Sequence, residues 1–306
     1  MPKRLFCTLC IAVAASAALA ATGHEKTLAA KNTQYQYLSV HEDTQRKERY
    51  LRSKRGEMNQ GGVSLEHPEQ LVLPYTQIAF IGLAFLDREP GDALFLGLGV
   101  GSMPRYFNRY YPSAMVDVVE IDPDVPPLAK KYFFFHETPR MRLSVEDGRI
   151  FVKRARRQYD LIFLDAYQND SIPFHLTTAE FLREVKAKLK PGGVVVANIL
   201  ARDINRFFDA MVVTYRKVFP QVYIFKWKFA DNYIFVATDT SRFLDKKTVA
   251  GRAAALQSQK RFDINLTEIS QWYDTAASYE KAGEKPLTDD FAPVNIYQHQ
   301  KTGGRK

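Results

Sequence analysis

The sequence predicts an α/β fold: a doubly wound, mostly parallel sheet with a small antiparallel β-sheet domain on its N-terminal side. Three observations carry this reading. The apolar run Asp92-Ala-Leu-Phe-Leu leads directly into Gly97-Leu98-Gly99-Val100-Gly101, and a strand that ends in spaced glycines before a helix brings bare backbone toward a ligand. The next apolar run, Met115-Val-Asp-Val-Val, ends in Glu120, about 20 residues on, where a Rossmann-like sheet presents a carboxylate to a ribose. Short apolar runs then alternate with helical patterns as far as Ile199, a β-α repeat that requires parallel strands and right-handed crossovers. The third glycine of a dinucleotide fingerprint would stand at position 102, which is Ser102. The spacing therefore favours an adenosyl-sulfonium ligand over NAD.

In chain order, residues 22–34 are polar and are expected to be disordered. Alternation begins at Tyr35 (Tyr35, Tyr37, Ser39, His41) and continues in Arg49–Arg52 and Val63–Leu65, the pattern of short antiparallel strands. Leu71–Leu86 reads as a buried helix. Strands follow at Asp92–Gly97, Met115–Ile121, Met141–Val145, Tyr159–Leu164 and Gly193–Ile199. The helices between them are Ser102–Tyr111, Val125–Phe134, Arg149–Arg157 and Thr178–Leu189, the last stopped by Lys190-Pro191-Gly192-Gly193. After a helix near Asp203–Phe219, Val222–Lys226 and Tyr233–Ala237 read as a closing hairpin. The expected divisions are a leader (1–21), the small N-terminal β-sheet domain (22–75), a Rossmann-like nucleotide-binding domain (76–240) and a helical or irregular extension (241–306).

The leader has a basic start at Lys3 and Arg4, an apolar stretch Leu5–Ala18 and the small-residue site Ala18-Leu19-Ala20. This is the pattern of a signal peptide cut near Ala21. It predicts an exported, periplasmic protein without stable membrane insertion; retention of the segment would mean a membrane-anchored or cytoplasmic one. Both cysteines of the chain, Cys7 and Cys10, lie within it, leaving the rest without a disulfide, a thiol nucleophile or a zinc-ribbon spacing. The net charge of +9 is dispersed over the chain without aromatic interleaving, so no nucleic-acid partner is expected. A length of 306 residues with 46% hydrophobic content suffices for one large α/β domain with an appendage.

Ligands of an open α/β sheet bind beyond the carboxyl ends of its strands. Those ends carry Gly97, Gly99 and Gly101, then Glu120 and Asp122, Asp147-Gly148, Asp165 and Asp170. In a basic chain, this collection of acids makes a locally negative pocket suited to a cation. Each acid also has a plainer reading: Glu120 as a helix cap, Asp147 as a turn residue, Asp170 as a loop cap. Asp165 is the hardest to read so, because it ends the apolar strand Asp160-Leu-Ile-Phe-Leu, where a carboxylate is costly to bury. His41 and His175 have no partners at metal-ligand spacing and read as surface or core histidines, so no metal site is expected. No G-x-S-x-G elbow, H-E-x-x-H or P-loop is present.

As a set, Gly97–Ser102, Val119-Glu120-Ile121-Asp122, Glu146-Asp147-Gly148-Arg149, Tyr159–Asp165 and Leu287-Thr288-Asp289-Asp290 resemble the spermidine synthase (polyamine aminopropyltransferase) family. Asp165–Leu176 is closest to its divergent bacterial spermidine synthase-like branch. The resemblance spans roughly residues 35–297. It implies a class I methyltransferase-type sheet and a homodimer. It also implies transfer of an aminopropyl group from decarboxylated S-adenosylmethionine, a co-substrate and not a resident cofactor, to a polyamine acceptor such as putrescine, releasing methylthioadenosine. Residue by residue, Asp165 matches the family's proton acceptor, Glu120 its ribose ligand, and Asp147-Gly148 its adenine contact. Gln60 matches a cofactor-binding glutamine, and Tyr75 the tyrosine of a Y-H-E motif that holds the polyamine, with Asp170 binding the acceptor's far ammonium. Three departures stand out. The family's glycine-loop aspartate is Val100 here, Y-H-E reads Tyr75-Thr76-Gln77, and the second loop aspartate follows Asp165 by five residues instead of three. A methyltransferase using intact S-adenosylmethionine, which would welcome the missing acid at Val100, and a non-catalytic exported binding protein are the alternatives.

Overall fold

The computed structural model describes residues 23–53, 58–166, 172–227 and 231–290. The leader and Asp170 lie outside the described residues. Four strands, β1 (Glu25–Asn32), β2 (Tyr37–Asp43), β3 (Glu48–Ser53) and β4 (Met58–Ser64), form an antiparallel sheet in chain order. The first corrects the expectation of a disordered 22–34. β1 pairs with β2 from Glu25↔Asp43 to Asn32↔Tyr37, with a register shift between Thr27 and Ala29. The shift turns Leu28 and Ala29 together toward the core, which removes the strict alternation by which a strand is read. Exposed Lys26 and Lys31 keep this edge strand polar.

The apolar segment that follows is α1 (Pro74–Ala79) continued by a 3-10 turn, Phe80–Phe85, instead of one helix from Leu71 to Leu86. Pro74 starts the helix, where its missing N–H costs nothing. All six residues of the 3-10 turn are buried. Gly82 lies so close to the main sheet that a Cβ there would stand 2.3 Å from Val196 Cγ2.

The main sheet contains β5 (Asp92–Leu96), β6 (Met115–Glu120), β7 (Met141–Val145), β8 (Tyr159–Leu164), β9 (Leu189–Leu200), β10 (Gln221–Lys226), β11 (Asn232–Thr238) and β12 (Tyr273–Thr275). Their order is β12-β10-β11-β9-β8-β5-β6-β7. The five strands from β9 to β7 are parallel, while β11, β10 and β12 add on antiparallel. The helices are α2 (Ser102–Tyr110), α3 (Val125–Tyr132), α4 (Gly148–Arg154), α5 (Ala179–Lys186), α6 (Phe208–Val218), α7 (Lys246–Lys260) and α8 (Leu266–Ile269). One face of the sheet packs α1, α2, α3, α7 and the N-terminal sheet; the other packs α4, α5 and α6. The winding reverses between β5 and β8, and that is where an open sheet leaves a crevice.

Two local features differ from the sequence reading. α5 ends at Lys186, and Lys190–Gly193 bulges within β9, where pairing jumps from Tyr159↔Leu189 to Leu161↔Val194. Gly192 has φ +76°, and a Cβ on Gly193 would lie 2.9 Å from the Lys190 carbonyl oxygen. Beyond residue 240, β12 joins the sheet edge opposite β10; three residues are too few to carry a periodicity.

Leu287–Asp290 is fastened down by Arg149 at the start of α4. Its guanidinium donates to Glu184 (2.9 Å twice) and to Asp289 (2.8 and 2.7 Å). Asp289 also accepts from Thr178 Oγ1 at 2.7 Å, and Leu287 is buried. The Arg149 hydrogen bond, with Thr178 assisting against a small burial cost, pulls the Asp289 carboxyl down to about 2. A depressed carboxyl stabilises the fold above its unfolded value of about 4, and that contribution is lost as pH falls through about 2. Arg149→Ala should lower unfolding free energy by about 1–3 kcal/mol, the scale of hydrogen bonds between charged groups partly screened by solvent, in urea titrations at pH 7. Limited proteolysis should then cut near Leu287 first.

Candidate active site

A cavity of about 630 Å³ opens at the carboxyl ends of β5–β8, beneath the N-terminal sheet, within the roughly 300–1,000 Å³ typical of small-molecule sites. Gln60 and Tyr75 line one side, Glu120, Asp147 and Asp165 the other, with Asn198 at the end beside β9. Gly97, Gly99, Gly101 and Gly148 all reach its wall except Gly101, which stands behind it.

The three loop glycines have positive φ (+106°, +53° and +74°) for different reasons. A Cβ on Gly97 would stand 2.2 Å from the Asp165 carbonyl oxygen, and one on Gly101 would stand 2.5 Å from the Phe135 ring. Only Gly99 faces open space, its nearest neighbour the Gln60 carbonyl oxygen at 3.6 Å. Two of the glycines thus serve chain-to-chain contact and one leaves room for a ligand. Gly148, the first residue of α4, has ordinary clearance: a Cβ would be 3.6 Å from Leu96.

Glu120 holds this loop. Its carboxylate accepts from Leu98 N and Asp122 N, each at 3.0 Å. Burial raises its pKa, the backbone N–H groups of Asp122 and Leu98 draw it back, and the Asp122 charge adds to the rise. Val100, where the family pattern has an acid, is buried. Its methyls lie 2.7 Å from where a Gly61 Cβ would be, so the loop and the N-terminal sheet interlock through it. Thr76 donates to the Leu73 carbonyl at 2.6 Å and Gln77 to the Leu71 carbonyl at 2.7 Å. These two departures serve the entry to α1 and bring no charge to the cavity.

Asp147 is both a cap and a wall of the cavity. Its Oδ1 accepts from Ile150 N at 2.9 Å as the N-cap of α4, and Oδ2 lies 2.8 Å from His175 Nε2. Burial raises the Asp147 pKa, but the Ile150 and His175 hydrogen bonds outweigh it and the net shift is downward. His175 is therefore a cavity residue rather than the bystander its sequence position suggested. It is 28 residues from its partner, and no local spacing announces the pair.

Asp165 sits at the end of β8. Oδ1 accepts from Asn198 Nδ2 at 2.8 Å, and Tyr75 Oη lies 3.4 Å from Oδ2 and 3.2 Å from the Gln60 carbonyl. Asn198 in turn accepts from Asn232 Nδ2 at 2.8 Å. Burial pushes the Asp165 carboxyl up to about 7; Asn198 and Tyr75 oppose the rise and the Glu120 charge adds to it. Gln60 turns its side chain to Gln36, with amide contacts of 2.6 and 3.4 Å. Asn198 and Asn232 were not singled out from sequence. A lone amide in the apolar run Gly193–Ile199 was the available signal.

The Spermine/spermidine synthase domain matches residues 76–229. Over 232 residues the chain is 33% identical to a polyamine aminopropyltransferase of Vibrio vulnificus, covering 74% of this chain and 76% of that one. It is 34% identical over 160 residues to the eEF1A lysine and N-terminal methyltransferase of Bos taurus, covering 47% of this chain and 23% of that protein. The crystal structure of a probable spermidine synthase from Corynebacterium glutamicum superposes with a TM-score of 0.70 at 22% identity, over 86% of this chain and 97% of that one. Fold and site define a transferase with a Rossmann-like, methyltransferase-type sheet. The chain belongs to the spermine/spermidine synthase family, and the group such enzymes transfer is an alkyl group other than methyl.

The unequal roles of the glycines are measurable in urea titrations. Gly97→Ala, which drives a Cβ into backbone, should cost more than about 3 kcal/mol or prevent folding. Gly99→Ala should cost only about 1 kcal/mol, the penalty for a left-handed alanine.

Proposed function

We propose that the protein transfers the aminopropyl group of decarboxylated S-adenosylmethionine to a polyamine acceptor such as putrescine, releasing methylthioadenosine. The observation that carries this reading is Asp165, a half-buried carboxyl at the strand switch whose proton affinity is raised to about 7. It is fixed by Asn198 and lies beside Tyr75. A group of that affinity exchanges protons with an amine near neutrality. In the proposed step Asp165 takes a proton from the acceptor ammonium, and the freed nitrogen lone pair attacks the methylene carbon beside sulfur. A C–N bond forms, the C–S bond breaks, and its electron pair returns to sulfur, leaving a neutral thioether. Glu120 would hold the ribose and Asp147-Gly148 the adenine, with Gln60, Gly97, Gly99 and Gly101 shaping the donor side. Tyr75, Asp165 and Asp170 would serve the acceptor.

A second reading, methyl transfer from intact S-adenosylmethionine, is favoured by Val100, since no loop acid is present to grip the donor's amine. Incubation with each donor, with and without putrescine, separates the two by mass spectrometry. Methylthioadenosine and spermidine support the proposal, and S-adenosylhomocysteine supports the other. Release of neither product would favour the binding-protein reading. For the leader, we propose removal near Ala21 and residence outside the cytosol, and for the assembly a homodimer. Among the described residues no helix is long and apolar enough to cross a membrane.

Glu120→Ala should weaken methylthioadenosine binding by about 1.5–3 kcal/mol, the worth of hydrogen bonds to a charged group, in calorimetry. Unchanged affinity would remove the ribose assignment. As a base, Asp165 must be ionised, so kcat/KM should rise with pH through about 7 and level off above. Asp165→Asn should cut turnover roughly 10²–10⁴-fold. Stability should move the other way. A carboxyl whose folded pKa is raised loses stability as pH climbs from its unfolded value of about 4 to about 7. The Asn variant should therefore melt above wild type at pH 8, with a smaller difference at pH 5.

A further inference from the structure

We propose that Asn232 is a positioning residue for the transfer step: by donating to Asn198 it fixes which end of that amide meets Asp165, and so which carboxylate oxygen is left to the acceptor. The assignment rests on Asp165 as the base and adds a residue that acts on it through another.

The three side chains come from neighbouring strands and share one face of the sheet. Asp165 stands two residues beyond Phe163 of β8, Asn198 two beyond Val196 of β9, and Asn232 two before Ile234 of β11. Those three apolar residues belong to one core layer, and side chains two apart on a strand point the same way. Asn198 pairs directly with Ile234, so Asn232 is its diagonal neighbour. Asn198 is 6% exposed, and an amide in so apolar a strand is costly unless both its ends are paired. They are: Nδ2 donates to Asp165 Oδ1, and Oδ1 accepts from Asn232 Nδ2, each at 2.8 Å.

The sense of this chain follows from its charged end. An ionised carboxylate only accepts, so a base ready to take a proton requires Asn198 to present its NH2. The terminal torsion of asparagine is broad and two-fold. Turned over, the amide would set a carbonyl oxygen against Asp165, a partner for the protonated carboxyl alone. Asn232 favours the first sense, because its donation satisfies the far end of the amide and polarises the N–H groups toward Asp165. Without it Oδ1 loses that donor, and the turned-over amide gains ground. Asp165 Oδ1 is thereby occupied. Among the described residues, Oδ2 has the longer 3.4 Å approach of Tyr75 Oη, whose one hydrogen also reaches the Gln60 carbonyl at 3.2 Å. Oδ2 is therefore the oxygen turned to the acceptor. The ionisable groups that act on Asp165 are Tyr75 on α1 and Glu120 at the end of β6. Tyr35, Asp122, Glu146, Asp147, His175 and Asp231 also line the cavity, and replacing Asn232 by leucine alters the charge of none.

The test follows the Asp165 carboxyl by carbon-13 NMR in the full-length protein labelled at aspartate Cγ, its resonance assigned through Asp165→Asn. It is run beside kcat/KM for aminopropyl transfer to putrescine. In wild type both should titrate near 7. Asn232→Leu, or Asn232→Ala should the larger side chain not fit, should raise both midpoints by roughly one pH unit, the scale of one hydrogen bond to a buried amide. At pH 7 kcat/KM should then fall about fivefold and recover above pH 9. Asn232→Gln, which keeps a donor, should restore most of the wild-type profile. In an Asn198→Leu background, Asn232→Leu should add nothing. An Asn232→Leu variant that melts lower but titrates as wild type makes the amide pair scaffolding and overturns the assignment, leaving Asp165 as the base. So does a midpoint change that persists undiminished in the Asn198→Leu background. Full transfer by Asp165→Asn, or none by wild type, overturns the base reading and this assignment with it.

Discussion

The site depends on how closely β5 and β8 converge at their carboxyl ends. Asp165 N donates to the Leu96 carbonyl at 2.8 Å, and the next residue, Gly97, is pressed against the Asp165 carbonyl. That approach sets the glycine loop and the Asp165 side chain in one frame. Because the strand order reverses here, helices leave on opposite faces and the crevice between them stays open. Glu120 extends the frame to β6 through the Leu98 and Asp122 amides, and Asn198 extends it to β9.

The acids are distributed by depth and partner. At the amino end of β8, buried Asp160 accepts from Gly91 N, Asp92 N, Arg88 and Lys190, and its pKa falls because these donors outweigh the cost of burial. At the carboxyl end of the same strand, Asp165 has two neutral donors and, among the described residues, no cation, and its pKa rises. One apolar strand therefore ends in two carboxylates with opposite proton affinities. The first has the environment of a scaffold group, the second that of a group able to exchange protons near neutral pH.

Much of this was legible in the sequence. The β-α alternation and the strand-end acids depend on local pattern, and the main strands agree with the structure to within a residue or two except at β9. What escaped depends on distant pairing. β1 owes its existence to β2 and to a bulge that hides its period. The Lys190–Gly193 turn is absorbed into β9 because β8 lies alongside. His175 gains meaning only from Asp147, and Asn198 only from Asp165 and Asn232. For the glycine loop the sequence told where backbone must come close, but not that Asp165 and Phe135, rather than a ligand, press on Gly97 and Gly101.

Val100 has a consequence for how such a site can change over time. Its methyls fill the space above Gly61, so the position that elsewhere in the family offers a charge has here become part of the seam between two sheets. The two residues are epistatic. An acid restored at Val100 would be thrust into an apolar joint, and a side chain added at Gly61 would meet the valine. Neither single step back is neutral, so the valine and the glycine hold each other in place: a charge to grip a donor's amine would have to come from elsewhere on the cavity wall.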